Sequence, residues 1–277
     1  MESKPAAPSL ESLSIFDTCL TMGRLATSQA PEPLPDAQAV LAMMDRYDIA
    51  EALVHEHHAR VVHPRKKGNL RLLGEIAGHP RLHPVWVIQP PQTPGRAPAR
   101  ALVEEMLDAG VRAARLPMGK MPSHDWYWAD LCAALEEHRV PCFLDFGDVS
   151  TLGSLSDFDV DAVGRIAAAH PALPMILSHV MGGLGIHPAI VPLMRRQRNI
   201  FIDVGALLEY WRQVARQLGA ERVLFAGGAP FTDPGILISN IQYARGFSVE
   251  EKALMLSLIH ISEPTRPLYI SYAVVCL

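Results

Sequence analysis

Eight short apolar runs recur along the chain, each separated from the next by a stretch of helical periodicity. They fall at residues 13–17, 49–55, 82–88, 111–116, 140–146, 173–179, 199–204 and 222–226. Runs such as Met175-Ile176-Leu177 and Val223-Leu224-Phe225 are apolar on both alternating faces, as strands covered on both sides by helices must be. This order predicts a single closed parallel (β/α)8 barrel. A doubly wound open sheet is the rival, but it would carry a Gly-rich phosphate turn after an early strand, and no GxGxxG is present there. The 277 residues suit one such barrel, which folds as one domain at roughly 250 residues.

Local chemistry places the helices. Asp36 is set to cap a helix running to Tyr47, with Val40, Leu41, Met44 and Tyr47 on one face. Gly78 with Pro80, Gly110 and Gly219 stop the helices predicted at 69–77, 98–109 and 207–218. Those at 125–138, 158–169 and 189–196 complete the alternation, and Ser248 with Glu251 makes a capping box for a last helix.

The formal net charge is -4 and the basic residues are scattered, so no nucleic-acid surface is expected. Cys19, Cys132, Cys142 and Cys276 show neither CxxC nor metal-ligand spacing, which fits a reduced, cytoplasmic protein. Residues 1–14 are polar with no signal-peptide core, and no apolar run reaches membrane-spanning length. A small molecule is therefore the expected partner. No GxSxG elbow, P-loop or coherent Cys/His dyad is present, and Trp126-Tyr127-Trp128 is expected to pack a helix on the barrel.

The last run begins at Arg222 and leads into Ala226-Gly227-Gly228-Ala229-Pro230-Phe231. This resembles the final-strand signature of the amidohydrolase superfamily, in its amidohydrolase-related, decarboxylase-like branch: an Arg, an apolar strand, Gly-Ser-Asp, then an aromatic, a Pro and a Phe. The resemblance covers roughly residues 15–255 and implies a TIM barrel of metal-dependent hydrolase type, with its chemistry on the loops after the strands. In the family the signature Asp is a metal ligand and proton acceptor; here Gly228 stands in its place. The family's first strand carries Asp-x-His-x-His; here Asp17 is kept, and Cys19 and Thr21 replace the histidines. The strand-five His is replaced by Asp145, while His179, in Leu177-Ser178-His179-Val180-Met181-Gly182-Gly183, matches the family's strand-six His.

Zinc needs three or four good ligands. Ligand count alone thus disfavours a metal-hydroxide hydrolase, and no metal cofactor is expected. The alternative is a divalent ion such as zinc held by a rebuilt set of His55, His57, Asp145 and His179, with His55 and His57 on one strand face. Asp145 is the candidate acid/base and His179 its electrostatic partner. Arg115 is placed to bind a substrate carboxylate or to pair with Asp145, and His55 and Asp203 are further candidates for contact with substrate. The expected function is a hydrolase or decarboxylase-like lyase acting on a small molecule. A non-catalytic, ligand-binding pseudoenzyme is the alternative. Barrels of this kind often dimerise, but nothing in the sequence identifies an interface.

Residues 1–12 are expected to be a flexible N-terminus and 13–255 the barrel. Residues 256–277 resemble the in-frame translation of a sequencing adapter and are expected to be a non-native tail.

Overall fold

The computed structural model describes residues 13–24, 32–61, 64–146, 159–178, 181–182, 185–186, 188–204 and 210–256. Eight parallel strands follow one another around a barrel in chain order. They are β1 (Ile15–Met22), β2 (Ile49–Glu56), β3 (Leu82–Val87), β4 (Ala113–Leu116), β5 (Cys142–Asp145), β6 (Met175–Ser178), β7 (Ile200–Asp203) and β8 (Val223–Leu224). A short antiparallel pair, Met181–Gly182 with Gly185–Ile186, follows β6.

The first and last strands meet through backbone bonds. Thr18 N donates to the Phe225 carbonyl (3.0 Å), Thr21 N to that of Ala229 (2.9 Å) and Gly228 N to that of Cys19 (3.2 Å). Asp17 pins the same seam, accepting at Oδ1 from the backbone N–H groups of Cys19 and Gly227, each at 2.9 Å. The expected (β/α)8 barrel is therefore present, and β1 is longer than its apolar start implied. It runs on through Met22, carrying Cys19 and Thr21 on the strand with an irregular register between Asp17 and Leu20.

One side chain from each strand fills the barrel interior: Phe16, Leu53, Val85, Ala113, Phe143, Ile176, Phe201 and Leu224. Outside the strands, a second core is sealed by Leu72, Val103, Leu131, Ile166, Met194 and Val214. These come from α3 (Arg65–Ile76), α4 (Arg96–Asp108), α5 (Asp125–Glu137), α6 (Val160–Ala169), α7 (Ile190–Arg196) and α8 (Trp211–Leu218). Each such side chain, withdrawn from water, contributes about 1.5–3 kcal/mol. Arg222, the arginine of the signature, ties β8 to β7 by donating to the Ile200 and Gln197 carbonyls, both at 3.0 Å, and lies over the Phe201 ring. Burial lowers its pKa to about 10.

Asp36 caps α1 (Ala37–Arg46) as expected, accepting from Ala39 N. The box on α10 (Val249–Leu256) forms too: Glu251 N donates to Ser248 Oγ and Ser248 N to the Glu251 carboxylate. In turn Phe225 N donates to the Met255 carbonyl, so this helix braces the last strand. Two helices were not anticipated. One is α9 (Pro234–Gln242), whose Asp233 cap and leading proline were there to be read. The other is the short α2 (His57–Val61), too brief to show a period. Among the described residues no helix is long and apolar enough to cross a membrane.

Candidate active site

Strand periodicity builds the site. Residues two apart on a strand share a face, so the layer above the interior side chains is His55, Val87, Arg115, Asp145, Ser178, Asp203 and Ala226. Four of the five residues expected at the site, His55, Arg115, Asp145 and Asp203, thus stand at the C-terminal ends of their strands, each at most 3% exposed. The fifth, His179, lies outside the described residues.

Asp145 is held by two arginines. Arg60 grips it in fork fashion, Nε to Oδ2 at 2.6 Å and Nη2 to Oδ1 at 3.1 Å. Arg115 adds a longer bond, Nη1 to Oδ2 at 3.3 Å. Of the two roles open to Arg115, pairing with Asp145 is the one seen. Its other terminal nitrogen lies 3.1 Å from Cys19 Sγ, and its guanidinium sits over Phe143, 5.2 Å from the ring centre. Its Nε is buried with no hydrogen-bond partner among the described residues. Burial works against the charge of Arg115, but Cys19, Asp145 and Asp203 outweigh it and its pKa is raised.

Burial pushes the Cys19 thiol up to about 12, with Arg115 opposing and Asp203 and Asp17 assisting. Burial also lifts Asp17 to about 7, against the two backbone hydrogen bonds it accepts. Asp203 accepts a short hydrogen bond from Ser178 Oγ. His55 Nε2 lies 3.1 Å from Thr21 Oγ1.

His57 does not share a strand face with His55. The strand ends at Glu56 and His57 opens α2, packing against His58 and Phe231. The reason is Glu56, only 1% exposed, whose Oε2 accepts from Ala59 N at 2.7 Å and starts the helical turn there. That turn delivers Arg60, which the sequence reading did not single out. Its only signal was a cation within a few residues of a strand end. Arg65 braces the turn, donating to the carbonyls of Ala59 (2.7 Å) and Arg60 (2.9 Å). A cavity of about 490 Å³, lined in part by Arg65, Trp86, Gln89 and Leu102, involves α3, β3 and α4; Val87 of the layer lines it, and the layer's polar side chains do not.

A model of the amidohydrolase family matches residues 23–257. The chain belongs to that family. The match opens just past β1. No curated protein matches. Among solved structures, an uncharacterised TIM-barrel protein from Bordetella bronchiseptica is similar at TM-score 0.65 and 18% identity, covering 88% of this chain and 96% of that one. A 5-carboxyvanillate decarboxylase from Novosphingobium aromaticivorans, with bound manganese, is similar at 0.66 and 14%, covering 89% and 95%. A 2,6-dihydroxybenzoate decarboxylase from Rhizobium is similar at 0.59 and 16%, covering 88% and 96%. At these identities the likeness is one of fold.

Among the described residues, the family's ligand positions hold Cys19, Thr21, Asp145 and Gly228, of which Asp145 alone is a carboxylate or imidazole. Among the described residues no three His, Cys, Asp or Glu side chains converge to hold one. Gly228 offers no side chain, and its φ of +69° suits glycine. The Cys19 sulfur is engaged by Arg115 at 3.1 Å. Thr21 lies against His55 and Asp145 is engaged by arginines.

Proposed function

We propose that the protein is a hydrolase or decarboxylase-like lyase acting on a small organic carboxylate in the barrel mouth, without a divalent metal. The observation that carries this reading is the buried cluster at the ends of the strands, where Arg60 from α2 and Arg115 meet Asp145 and the Asp203 charge acts on Arg115. A neutral substrate would find few apolar contacts there, whereas an anionic one meets two guanidiniums.

In this reading the substrate carboxylate takes Arg115, whose 3.3 Å bond is the weaker of the two that arginines make to Asp145 Oδ2. Arg60 keeps Asp145 in place. In a decarboxylation the bonding pair of the breaking C–C bond stays on the substrate carbon as carbon dioxide leaves, and that carbon takes a proton from a water held by the Asp145 carboxylate, the hydroxide left behind joining carbon dioxide as bicarbonate. In a hydrolysis Asp145 takes the proton of the attacking water. His179 supplies the electrostatic partner, and His55 and Asp203 complete the substrate wall. Removing such an acid/base group costs about 10²–10⁴-fold in rate.

The test is carbon dioxide release and hydrolysis measured on a panel of aromatic carboxylic acids and their amides, with chelator-treated protein. Turnover by the native chain that falls by that factor in both Asp145→Asn and His179→Ala supports the proposal. Saturable binding of the same acids with no turnover favours the second reading, a non-catalytic barrel that binds a ligand in the same mouth. Gly228 favours that reading, because it supplies no proton acceptor where the family has one.

A further inference from the structure

We infer that the guanidinium of Arg115 stands in the place of the family's metal ion, as a permanent cation built into the barrel. The inference rests on the family assignment and goes beyond the choice between enzyme and binding protein. Its basis is which atoms Arg115 touches. One terminal nitrogen meets Cys19 on β1 and the other meets Asp145 on β5, and the resemblance of the strand motifs sets these residues at two of the family's ligand positions. The strand-four arginine therefore spans two strands of the barrel that an ion would otherwise bridge.

The contacts are 3.1 and 3.3 Å, hydrogen-bonding distances to a flat cation. An ion would need donors at about 2.0–2.3 Å and would have to displace the guanidinium. The surroundings suit a guanidinium. Phe143 lies under its face, the Asp145 carboxylate meets its edge, and the Asp203 charge favours it. The two changes are complementary. Of the residues at the family's ligand positions, Gly228 has no donor side chain, Thr21 is a poor ligand, and the Cys19 sulfur is taken by Arg115. A tethered cation cannot be exchanged or chelated. It can orient and neutralise an anion, but it cannot carry a hydroxide.

The experiment uses the full chain and needs no substrate. Native protein, incubated with manganese or zinc and desalted, is expected to retain no equivalent of either, and its melting temperature is expected not to move. Arg115→Ala vacates a guanidinium-shaped space. Low-millimolar guanidinium chloride should then raise its melting temperature by about 2–4 °C over sodium chloride at equal ionic strength, and should not raise that of the native chain. Arg115→Lys, which keeps the charge without the fork, serves if the alanine variant does not fold, and is expected to bind no metal. A stoichiometric ion in the native protein that is lost on Asp145→Asn would overturn the inference. So would an alanine variant indifferent to guanidinium. None of these readouts requires turnover, so an absence of catalysis leaves the inference standing, and a bound ion would sink it without deciding between hydrolase and lyase.

Discussion

Asp17 offers the sharpest test of the barrel's electrostatics. Its carboxyl is fully withdrawn from water at the seam of β1 and β8. One oxygen accepts from Cys19 and Gly227, and Oδ2 has no hydrogen-bond partner among the described residues. Burial raises its pKa from 3.8 to about 7, and the nearby Asp203 adds to the effect. At about 1.4 kcal/mol for each tenfold change, that interval corresponds to about 4 kcal/mol. The folded pKa lies above the unfolded one, so the folded state holds the proton more tightly. The contribution of the protonated group is therefore lost progressively as pH rises, and the loss is complete above about pH 7. About 3 kcal/mol of it should fall between about pH 5 and about pH 8.5. Asp17→Asn keeps the accepting oxygen and cannot ionise. Urea unfolding of both proteins across that range should show the native chain losing about 3 kcal/mol relative to the variant as pH rises. Any fixed cost of the new amide cancels in this comparison. Parallel stability profiles would refute the reasoning, because they would mean that Asp17 titrates as it does in the unfolded chain.

Three further outcomes follow from the same structure. Arg60→Met removes the fork on Asp145 and leaves its 3.3 Å bond to Arg115, and equilibrium unfolding should show a loss of about 3–5 kcal/mol; adding Asp145→Leu should not recover it, because Arg115 then loses its buried carboxylate. Gly227→Ser restores a family residue, yet its Cβ would lie 2.4 Å from Asp17 Oδ2 and about 3 Å from Pro234. That variant should melt well below the native chain, and a native-like melting temperature would show that the seam relaxes. Ser248→Ala removes the oxygen that accepts from Glu251 N, and should cost about 1 kcal/mol in urea unfolding, read through the helix that braces β8.

The architecture was legible because it depends on short-range patterns. Apolar runs bounded by Gly and Pro marked the strands, and the ladder joins them in chain order. The same period of two carried the side chains at 55, 115, 145 and 203 to one layer, each two positions beyond an interior residue. Even the departures had local causes: Glu56 ended its strand by capping α2, and Asp233 with Pro234 started a helix that the apolar pattern alone did not mark.

What the chain order determined, then, was the set of walls and which side chains face the mouth, because strand parity and turn residues act over a few positions. The pairing within that layer came only from tertiary structure. Arg60 and Asp145 are 85 residues apart, and Arg115 and Cys19 are 96 apart. No local preference links them. They meet because closing the barrel withdraws them from water together, and a buried charge must then find its partner.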